Sequence, residues 1–288
     1  MVFDQIEDWI RETLSNSIIS ILSGMFEHVN DQVGDITTQV GTTPQGWNGS
    51  IFSMIQSLSE TVILPIAGVI LAFIMTLELI RIITERNNMS DVDEAIFFKW
   101  IFKTAGAILI VSNTWNIVMA VFDVAQRVVG SAGGLVSGTT AVDITSAAVD
   151  IEATLDTLSI GHLLGLWFQA VIVSIATWAV TICIFVVLNG RMIEIYLVTS
   201  LAPIPMASMF GRELSGGMGQ NYLRSLFALA FQAFLIIVCV AIYAVLVQTI
   251  SLDDDIGVAM WTSLGYTILL CFTLFKTGSI SKAIFSAH

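Results

Sequence analysis

Residues 189–232 read NGRMIEIYLVTSLAPIPMASMFGRELSGGMGQNYLRSLFALAFQ, and this stretch decides how the whole chain can fold. Pro203 and Pro205 interrupt its apolar run. Each proline lacks a backbone donor and clashes with the helical turn before it. Irregular backbone at membrane depth is tolerated only where other protein or a water-filled cavity shields it. We therefore predict that residues 193–210 form a proline-broken, re-entrant element between ordinary membrane spans.

Three charged side chains lie in or beside this element, and together with the two prolines they form a candidate site. They are Arg191, Glu194 and Arg212. A second candidate lies at the end of the first apolar run, where Glu78 and Arg81 are three residues apart. Residues at that spacing share one face of a helix. We therefore predict a membrane-interface ion pair between Glu78 and Arg81.

The composition indicates a membrane protein. Of the 288 residues, 56% are hydrophobic and 12% are charged, and the mean hydropathy is +0.86. Soluble domains carry about 25% charged residues. The formal net charge of −12 argues against a general nucleic-acid-binding surface. The sequence therefore predicts an all-α polytopic membrane protein.

Five apolar runs are close to the length of about 20 residues that a membrane-spanning helix needs. They cover residues 62–83, 100–122, 163–188, 225–250 and 256–275. Ahead of them, residues 3–33 carry apolar side chains at helical spacing opposite an acidic face. Helices that lie on lipid usually have a basic polar face, so we expect this amphipathic helix to pack on protein. Residues 37–50 contain three glycines and a proline and are predicted to form a loop.

Basic residues indicate the orientation, because short cytoplasmic loops are enriched in lysine and arginine. With the N-terminus outside, five spans place 9 of the 11 basic residues inside, all except Arg11 and Arg127. Six full spans place only 5 or 6 of the 11 inside, so the five-span arrangement is favoured. The predicted segments are an external amphipathic helix and loop at 1–60, two spans with a cytoplasmic loop at 61–122, an external acidic loop at 123–162, and spans three to five with the re-entrant element and a cytoplasmic tail at 163–288.

Several blocks of the sequence resemble a single family. They read NNMSDVDEAIFFKWIFKT, VFDVAQ, NGRMIEIYLVTSLAPIPMAS, NYLRSLFALAFQ and LFKTGSISKAIFSAH. The chain is similar to the TrbL-like conjugal transfer proteins, in particular to the branch found on integrative conjugative elements of Gram-positive bacteria. The resemblance implies a polytopic channel subunit of a type IV secretion system, with about five spans, an external N-terminus and a cytoplasmic C-terminus. It implies no catalytic residue.

The resemblance also implies a function and partners. Such a subunit acts as a channel or scaffold in the cell membrane and supports the transfer of single-stranded DNA with its attached relaxase. The expected partners are ATPases, a bitopic membrane scaffold protein, a surface channel component, the lipid bilayer, DNA in transit and further copies of the chain. No cofactor is expected.

Two other functional classes stay open at this point. A secondary transporter can use a broken helix to expose backbone groups to a substrate, although transporters usually show paired broken segments and one is visible here. The other class is a purely structural membrane anchor of the secretion complex. An enzyme is not expected, because the three histidines, His28, His162 and His288, share no element with a matching nucleophile. The glycine-rich GRELSGGMGQ also lacks the lysine of a phosphate-binding loop.

Overall fold

A computed structural model describes the chain, and every regular element in the described residues is helical. The described residues are 2–84, 94–137, 154–155, 157–211, 217–250 and 255–287. This architecture confirms the predicted all-α membrane class.

The N-terminal part is helical nearly throughout. It contains helix α1 (Val2–Val40), helix α2 (Pro44–Trp47), helix α3 (Gly49–Leu58), a π-helical turn (Ser59–Ile63) and helix α4 (Leu64–Thr84). The predicted loop at 37–50 is therefore wrong for most of its length. The sequence provides helix starts there, because Thr43 Oγ1 accepts from Gly46 N at 3.0 Å and Asn48 Oδ1 accepts from Ile51 N at 3.0 Å. Side chains of this type are the preferred helix N-caps.

Helix α5 (Glu94–Ser112) and helix α6 (Thr114–Ser137) are separated by Asn113 alone. Asn113 N donates to Leu109 O at 3.2 Å, and Ile117 N donates to Asn113 O at 3.1 Å. These are helical i to i−4 bonds, and a reversal between antiparallel helices takes a loop of about 2–5 residues. The two helices therefore continue in one general direction. Because α6 runs on to Ser137, the predicted external loop does not begin at residue 123, and residues 138–153 of that loop lie outside the described residues.

The C-terminal half contains helix α7 (Ile160–Ser200), helix α8 (Pro203–Ser208), helix α9 (Met218–Gln248) and helix α10 (Ile256–Ile284). Helix α7 has 41 residues, so it is about 60 Å long at 1.5 Å per residue. The helix therefore continues past the end of the third apolar run at residue 188. Asn189 and Gly190 lie inside α7, and Asn189 Nδ2 donates to Phe185 O at 2.8 Å.

Among the described residues, six helical stretches are long and apolar enough to cross a membrane. They are Gly49–Thr84, Ala95–Ser112, Thr114–Gly134, Ile160–Ser200, Met218–Gln248 and Ile256–Ile284. Each of the five predicted spans overlaps at least one of them. The sixth arises because Asn113 divides the run predicted at 100–122 into two helices.

The chain forms two compact units, and helices α6, α7, α9 and α10 contribute residues to both. The first unit consists of Met1–Gly41, Val129–Asn189 and Phe234–Thr277. Its core joins α1, α7 and α10 through fully buried side chains that include Leu22, Leu163 and Met260.

The second unit consists of Thr42–Val128, Gly190–Ala233 and Gly278–His288. One of its cores joins α6, α7 and α9 around Val118, Ile195 and Leu226. Another joins α4, α5 and α8 around Leu71, Ala107 and Ala207.

Candidate functional site

The predicted interruption at the two prolines is present. Helix α7 ends at Ser200 and α8 begins at Pro203, and both Pro203 and Pro205 are buried. Ala202 N donates to Thr199 O and Ile204 N donates to Leu201 O, each at 3.2 Å. These tighter i to i−3 bonds replace the α-helical ones because proline has no N–H to donate. The chain is therefore bent at the prolines but does not reverse its direction there. Residues 201–208 are called the bent element.

The reversal follows the prolines, before α9. Gly217 has φ +83°, a left-handed conformation that favours glycine. Gly219 then packs so closely on α8 that a Cβ atom added to it would lie 2.7 Å from Pro205 O. Glycine is therefore required where α9 meets the bent element. The re-entry of this element into a membrane stays a prediction.

Arg191 and Glu194 lie in α7, two to three turns before its end. Arg191 is buried with 8% of its surface exposed, and its Nε atom has no hydrogen-bond partner among the residues the structure describes. Glu194 is half-exposed and forms an ion pair with Lys282 Nζ of α10 at 3.0 Å. Arg212, the third predicted charged residue, lies outside the described residues. The site therefore keeps one guanidinium inside the bundle and one carboxylate paired at its surface.

Two tyrosines, which the sequence did not single out, join the last turns of α7 to neighbouring helices. Tyr196 of α7 donates its hydroxyl to Pro44 O at 2.6 Å, and Tyr222 of α9 donates to Val198 O at 3.3 Å. A tyrosine in an apolar run was the available signal, because a buried phenol hydroxyl needs a partner. Ser281 of α10 adds a third buried tie, since its hydroxyl donates to Ala228 O at 2.5 Å.

The second predicted site lies between α4 and α5. Glu78 is held by Lys103 of α5 at 2.5 Å, a partner that sequence proximity did not indicate. The predicted pairing of Glu78 with Arg81 stays a prediction. Beside this ion pair, Trp100 Nε1 donates to Met75 O at 3.2 Å, so polar contacts join α4 and α5 at this end.

In the first unit, a line of polar contacts joins α1 to α7. Trp167 Nε1 donates to Ser17 Oγ at 3.0 Å, and His28 Nε2 lies 2.8 Å from Thr181 Oγ1. Thr181 Oγ1 already donates to Thr177 O at 3.0 Å. Its contact with His28 therefore uses an N–H of the imidazole as donor. Residue numbers rise together along both helices, so α1 runs parallel to α7.

This register places acidic and apolar surfaces at one level of the first unit. The exposed acidic side chains of α1 are Glu7, Asp8, Glu12, Glu27, Asp31 and Asp35. Strongly exposed apolar side chains of α7 are Phe168, Ile175, Trp178 and Phe185. Because His28 contacts Thr181, the acidic side chains Glu27, Asp31 and Asp35 lie beside the apolar side chains Trp178 and Phe185.

The packing of α1 on α7 bears on two of the predictions made above, the external segment and the orientation of the N-terminus. Helix α1 lies along the third predicted span, 163–188, through much of its length, and the external placement of residues 1–60 stays a prediction. An N-terminus outside the membrane is compatible with the packing, since α1 and α7 start at the same end of the first unit.

The two described histidines, His28 and His162, make separate contacts in the structure. His162 lines a cavity of about 590 Å³ with Gln169, Asp255 and Trp261. Trp261 Nε1 donates to Gln169 Oε1 at 3.2 Å there. Among the described residues, no group of His, Cys, Asp or Glu side chains is arranged to hold a metal ion. His288 is outside this part of the chain.

Comparison with known proteins gives one match. A family model described as "TrbL/VirB6 plasmid conjugal transfer like protein" matches residues 29–203. The matched region starts in α1, one residue after His28, and ends at the first proline of α8. No curated protein and no solved structure matches the chain.

Proposed function

The chain belongs to the TrbL/VirB6 family of plasmid conjugal transfer proteins, and from this membership we propose that it supports the transfer of relaxase-bound single-stranded DNA through a type IV secretion system. The family match and the six apolar helices make it a multi-pass membrane subunit of conjugal transfer. The finer proposal is a channel or scaffold role in the cell membrane, without catalysis by this chain. The family match over 29–203 is the observation that carries it.

The proposed orientation has the N-terminus outside and the C-terminus in the cytoplasm. The excess of lysine and arginine near one set of span ends supports it. Helices α1 and α7 then both run inward from the outer face. Helix α10 also runs inward and ends beyond the ion pair between Lys282 and Glu194.

The surfaces of the first unit suggest which side faces the passage. The exposed apolar side chains of α7 can contact the acyl chains of lipids. Asp31 and Asp35 of α1 are exposed at the same level of the first unit as these side chains. Each aspartate that faced lipid would oppose insertion, by up to about 2.5–3.5 kcal/mol at the centre of the bilayer. We therefore assign the acidic face of α1 to a water-filled space and the apolar face of α7 to lipid.

One chain is not sufficient to enclose such a space. Packed helices have axes about 8–10 Å apart, which leaves no room between them for a DNA strand attached to a folded relaxase. Several copies, arranged with α1 inward, would surround it. Partner ATPases would supply the energy, and a bitopic scaffold protein and a surface component would continue the path.

A clean deletion in the donor tests this proposal. DNA processing belongs to the relaxase, so the deletion strain should lose transfer while nicked element DNA still accumulates. Supplying the full chain from a plasmid should restore transfer. Wild-type transfer from the deletion strain would overturn the proposal, and loss of nicking would assign the chain to DNA processing instead.

A further inference from the structure

An apolar groove runs along the seam between α4 and α5. Its volume is about 450 Å³. The buried side chains Leu71, Met75 and Val111 form its floor. Gly68 and Ile108 line it from opposite helices, and Trp100 lines one end.

The groove exists because the side chains along one wall are small. A Cβ atom added to Gly68 would meet nothing within 4 Å, and the next lining residue on that wall is Ala72. The protein atoms therefore leave the space above the floor unfilled. A cavity with an apolar lining gives water few hydrogen-bond partners, so an apolar occupant is favoured.

The dimensions of the groove fit one alkyl chain. Its lining on α4 extends from Leu64 to Thr76, which is about 18 Å at 1.5 Å per residue. Half of the hydrocarbon core of a bilayer is about 15 Å thick. Spread over 18 Å, the volume gives a mean cross-section of about 25 Å², far below the ~80 Å² of a helix about 10 Å across. The groove is therefore too narrow for a helix of a second copy.

One end of the groove is polar and basic. Thr104 Oγ1 donates to Trp100 O at 2.9 Å, and the indole of Trp100 donates to Met75 O at 3.2 Å. Lys103, which lies between Trp100 and Thr104 in the sequence, forms an ion pair with Glu78. Lys99, directly before Trp100, is exposed. Tryptophan and lysine at the end of an apolar stretch are typical of the headgroup level of a membrane.

We propose that this groove binds one phospholipid, with an acyl chain lying between α4 and α5 and the phosphate near Lys99. The lipid comes from the leaflet at the Thr84 end of α4. This assignment requires that α4 and α5 lie in a bilayer and does not depend on a role in DNA transfer.

Photocross-linking of lipid to the full chain tests the site. A phospholipid with a diazirine in its acyl chain is incorporated into membranes that contain the protein, and cross-linked peptides are mapped after irradiation. Wild type should be labelled at α4 and α5 lining residues. Gly68→Leu fills the groove and should lower this labelling at least fivefold. Gly106→Leu is the matched control, since a Cβ at Gly106 also meets nothing within 4 Å and Gly106 does not line the groove.

The headgroup assignment is tested with Lys99→Gln. A basic residue near a membrane surface contributes about a fivefold preference for an anionic group, so labelling by the phospholipid should fall by about that factor. Labelling by a diacylglycerol with the same diazirine chain should not change. Equal labelling of Gly68→Leu and wild type would overturn the proposal. An altered oligomer size of Gly68→Leu with unchanged lipid labelling would also overturn it and assign the groove to a second copy.

Discussion

Gly219→Ala tests the contact that packs α9 against the bent element. The new Cβ would lie 2.7 Å from Pro205 O, which is backbone and cannot rotate away, and it would also overlap the side chain of Met209. Overpacking of this kind costs about 1–3 kcal/mol. Alanine in place of a helical glycine regains about 0.5–1 kcal/mol. The expected net effect is a loss of up to about 2.5 kcal/mol, with a central value of about 1 kcal/mol.

Gly190→Ala is the matched control for this change. Gly190 is an exposed glycine inside α7, and its added Cβ would meet nothing within 4 Å. Only the higher helix propensity of alanine matters there, so the free energy of unfolding of this variant should rise by about 0.5–1 kcal/mol. The two substitutions therefore have opposite expected signs although the chemical change is the same.

The assay is unfolding of the purified protein in one detergent, followed by tryptophan fluorescence. The free energy of unfolding should decrease in the order Gly190→Ala, wild type, Gly219→Ala. A Gly219→Ala protein as stable as wild type would refute the close packing of α9 on α8. A destabilised Gly190→Ala protein would refute the continuity of α7 through residues 189–190.

Three further predictions concern topology and the bend. Single cysteines in a cysteine-free chain should react with an impermeant reagent outside intact cells at Glu12, but only after permeabilisation at Gly217 and Ser286; labelling of Gly217 from outside would contradict the re-entrant element. Replacing both prolines of α8 with alanine should straighten the bend, gaining up to about 3 kcal/mol of helix propensity per proline while abolishing transfer in a mating assay; normal transfer would mean that the bend is dispensable. A cysteine at Asp31 should react with a charged thiol reagent in membranes, whereas one at Trp178 should not; equal reaction at both would place the first unit outside the lipid.

Composition and proline chemistry determined the parts of the fold that could be predicted. The apolar runs identified the membrane class, and Pro203 marked the end of α7 because a missing N–H removes a helical bond whatever the surroundings. Asn189 and Gly190 follow the third apolar run, yet α7 continues through them. A glycine costs a helix only about 1 kcal/mol, and packing on both sides of residue 190 outweighs that cost.

Contacts between distant residues could not be read from spacing. Glu78 forms an ion pair with Lys103 of α5, 25 residues along the chain, and spacing within one helix could not indicate that partner. Thr181, a weakly polar residue in an apolar run, gave no sign of its contact with His28. Helix α1 was correctly expected to pack on protein through the side opposite its acidic face. The sequence did not show which helix it would contact. Periodicity shows that a helix has two faces and does not show what each face contacts.

Capture of DNA in transit tests the central claim most directly. A photocross-linking amino acid is placed at Asp31 in α1 or at Trp178 in α7, and irradiation is applied to donors during mating. If copies of this chain line the passage with α1, transferred-strand DNA should be recovered on the protein from the Asp31 position and not from the Trp178 position. The adduct should disappear in donors that lack the relaxase. Absence of DNA at Asp31 in cells that still transfer at the wild-type rate would contradict the claim that α1 lines the passage.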